Sequence, residues 1–171
     1  MPIQVIQFNY QRMFAFGKLI ECSCVVQNLE NKNRAMNQVV FSENADGLNG
    51  VPYSPQVFPL GAWPVRAPIP EPESNPYEFP FFIPTDAHQL VDEWGTVQRE
   101  ALYYTQKTGR QVMDWGYGIH FSKSMVTLGC IRIASQQDLM FIVSQVQNAL
   151  KNGVAVMIDA ISVGAAIGGA Q

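Results

Sequence analysis

Charge is scarce in this chain. Lys and Arg together number 11 and Asp and Glu 14 among 171 residues, for a net charge of −3. The basic residues form no cluster, so the electrostatic footprint that holds a nucleic-acid backbone is missing, and nucleic acid is not an expected partner. Histidine, with two copies, and cysteine, with three, are scarcer still. Three cysteines do not make an even disulfide framework. A zinc site drawing on Cys22, Cys24, Cys130 and His120 lacks any paired ligand spacing, so neither a metal nor another cofactor is expected. No apolar run reaches the ~18 residues that span a membrane. The apolar stretch VAVMIDAISVGAAIGGA near the C-terminus is broken by Asp159 and by glycines. The first residues, MPIQVIQFNYQRM, lack a basic segment leading into a long apolar core, so no secretory signal is recognisable.

Apolar residues, in contrast, make up 47 % of the chain. A chain of this length fits a single domain that buries about two thirds of its unfolded surface. No repeat divides residues 1–171. Residues 3–10 and 18–27 are rich in β-branched and aromatic side chains and read as strands, with Gly17 turning the chain before the second. Cys22 and Cys24 alternate to one face of that strand, where such thiols pack. A further strand is expected at 38–42, and residues 44–50, with Asp46-Gly47 and Asn49-Gly50, carry turn chemistry. Residues 66–84 hold Pro68, Pro70, Pro72, Pro76, Pro80 and Pro84, which excludes a central strand. That stretch is expected to be an extended loop or partial lid anchored by Tyr77, Phe79, Phe81 and Phe82.

Thr85 or Asp86 is a candidate cap for a helix running to about Lys107, with Leu90, Trp94, Val97, Ala101 and Tyr104 at helical spacing. His88 would lie in its first turn as a structural residue. Residues 110–120 read as a strand ending on His120. Ser135, with Asp138 three residues on, starts a second helix whose apolar stripe is Leu139, Ile142, Val146 and Leu150. Gly153 ends it, and residues 154–158 form a closing strand.

The chemistry concentrates in GYGIHFSKSMVTLGCIRI, from Gly116 to Ile133. A thiol with its ordinary pKa near ~8.5 is mostly protonated at neutral pH, and only the thiolate attacks a carbonyl. A neighbouring imidazole can take that proton, which makes His120 and Cys130 the minimum equipment for acyl transfer through a thioester. Ten residues of separation exclude helical neighbours but suit two adjacent strands joined by a loop.

The run IHF…TLGCIRI resembles the active-site pattern of the L,D-transpeptidase catalytic domain (the YkuD type), commonly IHG…S/T-H-G-C-I/V-R. Thr127, Gly129, Cys130, Ile131 and Arg132 fall in register behind Ile119-His120. Phe121 stands where that family usually has glycine or serine, and Leu128 where a second histidine often precedes the Gly-Cys. Upstream, Pro59-Leu60-Gly61 followed by Ala-Trp-Pro-Val resembles the family's T-P-x-G-x-F/Y-x-I segment, with Phe58 in place of the threonine. The resemblance covers about residues 54–158, with the Pro-rich loop at 66–84 and a helical insertion at 85–107. It implies a mainly β fold with flanking helices, an L,D-transpeptidase-like β-sandwich.

The resemblance also implies roles. Cys130 would attack the third residue, meso-diaminopimelate, of a peptidoglycan stem tetrapeptide, with His120 as base and then acid. Gly129 and Cys130 amides would hold the oxyanion, and Thr127 would brace the loop. Arg132 would either grip a substrate carboxylate or fix the loop. Trp115 and Tyr117 would line the peptide groove or pack the His120 strand. The acyl group would pass to an amine, as in a transpeptidase, or to water, as in an L,D-carboxypeptidase. A third reading keeps the fold as a non-enzymatic wall-binding module. Such a substrate lies in the periplasm or cell envelope, while no signal is recognisable. That combination fits an antibacterial effector of the type VI kind, exported by a non-Sec route and paired with an immunity protein or secretion apparatus.

Overall fold

The computed structural model describes residues 2–26, 37–41, 51–53, 58, 60–76, 78–86, 88–89, 112–114, 117–123, 126–127 and 130–168. Fifteen strands and one helix run through those residues. The first eight strands are β1 (Ile3–Phe8), β2 (Arg12–Ala15), β3 (Lys18–Ser23), β4 (Val25–Val26), β5 (Asn37–Phe41), β6 (Val51–Tyr53), β7 (Gly61–Pro64) and β8 (Ile69–Pro70). There follow β9 (Phe81–Pro84), β10 (His88–Gln89), β11 (Val112–Asp114), β12 (Gly118–Phe121), β13 (Val126–Thr127) and β14 (Ile131–Ile133). Helix α1 (Gln136–Lys151) and β15 (Ala155–Ala160) complete the order. The fold is mainly β with a flanking helix, as expected.

Nine strands form one sheet in the order β7-β15-β1-β2-β3-β14-β12-β9-β8. Separate pairings join β10-β11-β5-β6 and β13-β4. The large sheet curls into a half-barrel, and the chain just beyond β7 draws its two ends together. Val65 donates its N–H to Val156 of β15 and forms an isolated bridge with Thr85 after β9. Arg66 donates to the carbonyl of Pro84, and Asp86 to that of Pro64, at 2.7 and 3.0 Å. The Arg66 and Asp86 side chains form an ion pair across the same seam.

Alternation decides which residues meet inside the curl. Along β1, Ile6 and Phe8 are buried, Gln7 between them is half-buried and Val5 is exposed; along β15, Val156, Ile158 and Ala160 are buried. These join Met13, Ile20, Ile119, Ile131 and Ile133 in one core, onto which α1 lowers Leu139, Ile142, Val143, Val146 and Ala149. The helix begins where Ser135 Oγ accepts the N–H of Asp138 at 3.3 Å, and Gly153, at φ +75°, turns the chain away beyond it. Lys18 on β3 reaches Asp138 at 2.8 Å and lies over the Phe141 ring, tying the helix start to the sheet.

Several expectations change. β2 is a strand beyond those expected; it arises because Phe16 and Gly17, at φ +51° and +76°, make a two-residue turn of the type that suits strand twist. Phe81–Pro84 is a strand inside the large sheet rather than part of a loop or lid. The prolines are tolerated because Pro70 lies on edge strand β8 and Pro84 closes β9. Thr85 does not cap a helix, since it bridges Val65, and His88–Gln89 pairs with β11 as strand β10. The rest of the expected helix at 85–107 lies outside the described residues. The expected strand at 110–120 is two strands in different sheets, β11 and β12.

Gly118 is the tightest point beside the site. A Cβ there would strike the carbonyl oxygen of Ile83 and lie 2.6 Å from Cζ of Phe82, so β12 and β9 pair only because that position carries no side chain. Gly118→Ala should therefore lower the free energy of unfolding by about 1–3 kcal/mol or more, read by denaturant melts. An unchanged midpoint would contradict the pairing.

Candidate active site

β12 and β14 lie side by side and parallel, with Ile119 opposite Ile131, His120 opposite Arg132 and Phe121 opposite Ile133. Side chains alternate along a strand, and residues opposite one another project to the same side. Ile119, Ile131 and Ile133 are wholly buried in the core, and His120 and Arg132 share the other side. Cys130 directly precedes β14. One step back in the same register sets it beside Gly118, on the His120 side of the ladder. The close approach of Phe82 to Gly118 therefore puts an aromatic ring next to the position of Cys130.

His120 is 8 % exposed, and its Nδ1 lies 3.2 Å from the carbonyl oxygen of its neighbour Phe121. A proton on Nδ1 donates to that oxygen and leaves the Nε2 lone pair available. Burial holds the imidazole below its ordinary pKa; the bond to Phe121 pulls the other way, and the positive charge of Arg132 pushes it down again. The ring is thus neutral at neutral pH, as a base must be before it accepts a proton. The partner that orients the ring is a backbone carbonyl rather than a carboxylate.

Arg132 donates from Nε to the carbonyl oxygen of Ser122 at 2.7 Å. This bond ties the start of the loop after β12 to β14, so the loop-fixing role proposed for Arg132 has an observed contact. Thr127 lies on β13, where it pairs with Val26 of β4 and thereby fastens the loop's other half to the chain following β3. Gly129 and Trp115 lie outside the described residues, as does Leu128.

Tyr117 belongs to the core. It is 1 % exposed, its ring meets Phe58 edge-on at 5.8 Å, and Phe58 meets Phe8 in the same manner at 6.3 Å. Its carbonyl accepts both the N–H and the hydroxyl of Thr85, each at 3.0 Å. Tyr117 therefore braces the strand that carries His120, and its buried ring cannot line a groove. Phe58, which stands where the resembled motif has threonine, is the centre of this aromatic cluster, and its carbonyl accepts the hydroxyl of Tyr10.

Cys22 and Cys24 are buried, and neither they nor Cys130 form a disulfide. Burial pushes the Cys24 thiol up to about 11 and Cys22 higher still. Cys130 is the half-exposed member of the three. Among the described residues no group of three His, Cys, Asp or Glu side chains could hold a metal ion, and no helix is long and apolar enough to cross a membrane. Ser122 was not singled out from sequence, and Phe82, expected to anchor a loop or lid, instead stands beside the site on β9. Gly118 was the available signal, since a glycine inside a strand marks a close approach.

No protein-family model and no curated protein matches the chain. A crystal structure of the L,D-transpeptidase (residues 123-326) from Xylanimonas cellulosilytica DSM 15894 is similar over 92 % of this chain, with 13 % identity and a TM-score of 0.33. The similarity covers 60 % of that chain. Likeness at this level says nothing about chemistry.

Two outcomes are expected. Iodoacetamide near neutral pH should modify Cys130 well before Cys22 or Cys24, which are enclosed and hard to ionise; peptide mass spectrometry locates the adduct, and first labelling at Cys22 or Cys24 would contradict the order. The second concerns pH. Because the folded state holds the His120 pKa below its unfolded value of about 6.5, the unfolded chain takes up the proton first as the pH falls. The stability contribution is complete above about pH 6.5 and is lost progressively below it, toward the lowered pKa. His120→Gln should flatten that acid limb in melts recorded from pH 8 to pH 5.

Proposed function

We propose that this protein is a cysteine acyltransferase of the L,D-transpeptidase kind, acting on peptidoglycan stem tetrapeptides in the cell envelope. The observation that carries the reading is the register of β12 against β14. It brings His120, and Cys130 one residue ahead of β14, to the same side of one ladder within the sequence context IHF…TLGCIRI.

The chemistry follows from that arrangement. Nε2 of His120 takes the proton of the Cys130 thiol, and the thiolate adds to the carbonyl carbon of the third stem residue. The developing oxyanion is met by the backbone amides of Gly129 and Cys130, where one such donor is worth about 10²–10³ in rate. Collapse breaks the C–N bond to the terminal D-alanine, whose amine leaves with the proton held by His120. The acyl group remains on Cys130 as a thioester. An acceptor amine then attacks that thioester, His120 removes its proton, and Cys130 departs as the thiolate. Water in place of the amine gives a trimmed tripeptide. Through Ser122, Arg132 keeps the loop in place throughout.

The decisive experiment incubates purified tetrapeptide muropeptides with the protein, with and without an added D-amino acid, and resolves products by mass spectrometry. Exchange of the terminal residue or cross-linking identifies transpeptidation, and a tripeptide identifies carboxypeptidase action. Cys130→Ala should abolish turnover, whereas Cys22→Ala and Cys24→Ala should retain it. His120→Ala should lose about 10²–10⁴-fold, and the double variant should be no worse than Cys130→Ala, since residues acting as a unit fail together. Untouched muropeptides with folded wild-type protein would sink the proposal.

A further inference from the structure

Ser23 is a polar group that the reaction scheme leaves unused. It is 8 % exposed, its Oγ is fully enclosed, and among the described residues that oxygen has no hydrogen-bond partner. Native proteins keep few buried polar atoms in this condition, and each one asks for a reason.

Its position supplies a reason. Ser23 stands opposite Arg132 in the antiparallel pair β3–β14, and Arg132 stands opposite His120 in the parallel pair β14–β12. Opposite residues project to the same side, so the three side chains form one row over three strands spaced about 4.8 Å apart. Arg132 is the middle member. A guanidinium carries five N–H donors and no acceptor, while a serine hydroxyl offers two lone pairs. The Arg132 side chain is now drawn toward Ser122, with Nε on that carbonyl, and its charge opposes protonation of His120.

Glu21 stands two residues from Ser23 on the same side of β3, with Arg12 of β2 opposite it, and both are exposed. β9 contributes Phe82, which is uncharged, opposite His120. Cys130 precedes β14 on the same side. Lys123, in the loop after β12, is exposed, and α1 holds Asp138 at its start, paired with Lys18, and Lys151 at its end. The charge that bears on the imidazole is that of Arg132. Yet His120 must hold a proton between its removal from Cys130 and its delivery to the leaving amine, and like charges at adjacent positions repel.

We propose that Ser23 is a positioning residue whose hydroxyl accepts a guanidinium N–H of Arg132 when His120 is protonated, drawing that cation toward β3. The hydroxyl is then unpartnered in the resting state and satisfied in the charged one. The proposal rests on the acid–base role of His120 in the reading above, but its test needs no substrate.

The test follows the His120 ring by NMR across pH in the wild type, Ser23→Ala and Ser23→Thr, and repeats Ser23→Ala in an Arg132→Gln background. Ser23→Ala should lower the His120 titration midpoint by about half a pH unit, roughly a threefold loss in proton affinity. Ser23→Thr, which keeps the hydroxyl, should titrate like the wild type. Without the guanidinium, Ser23→Ala should shift nothing, and this comparison decides the matter even if Ser23→Thr does not fold. A merely structural serine would change the melting temperature and leave the midpoint alone. An unshifted midpoint in Ser23→Ala, or an equal shift in the Arg132→Gln background, overturns the proposal. A shift present without muropeptide turnover removes the substrate reading and keeps Ser23; turnover with no shift does the reverse.

Discussion

The parallel pairing of β12 with β14 is the constraint on which the site depends. Both strands are short, four and three residues, and neither could hold its place alone. Each is secured from its far side, β12 by β9 and β14 by β3, so the pair sits well inside a nine-stranded sheet. Ile119, Ile131 and Ile133 fasten it to the core, and that burial leaves His120 and Arg132 no choice of side. A one-residue slip would exchange the two sets, burying the cation and exposing the isoleucines.

The rest of the molecule supports this pairing in two ways. Residues 65–66 draw the ends of the sheet together through Val156, Pro84 and Thr85, and Thr85 in turn holds the Tyr117 carbonyl just before β12. The entry to the histidine strand is thus tied to the seam of the curl. The loop between histidine and cysteine is pinned at both ends, by Arg132 on Ser122 and by β13 on β4. One tie is a side-chain-to-backbone hydrogen bond and the other a backbone pairing, and together they limit the geometry open to the segment between His120 and Cys130.

Reading the sequence and reading the structure diverge where proline and turn chemistry compete with pattern. Pro80 and Pro84 argued against a strand at 81–84, yet Phe81, Phe82 and Ile83 form one because the prolines sit at its margins, where a missing N–H is harmless. Arg12–Ala15 is too short to stand out in a window of hydropathy, and it exists because the Phe16-Gly17 turn returns β3 against it. From sequence Tyr117 suits a groove or the core equally, because an aromatic residue near His120 on a strand fits either. Its contact with Phe58, nearly sixty residues away, settles the matter, and no local pattern encodes such a contact.

By itself the sequence determined the pieces whose causes are local. The helix after Ser135 follows from its cap, its apolar stripe and Gly153. Burial of Cys22 and Cys24 follows from strand alternation. Only the tertiary structure decided which strands are neighbours: that β14 lies between β12 and β3, that Phe82 fills the space left by Gly118, and that Ser23 ends a row with Arg132 and His120. The physical reason is that helical and turn signals act over a few residues. Strand order instead emerges from the whole chain burying its apolar faces at once while pairing its backbone groups.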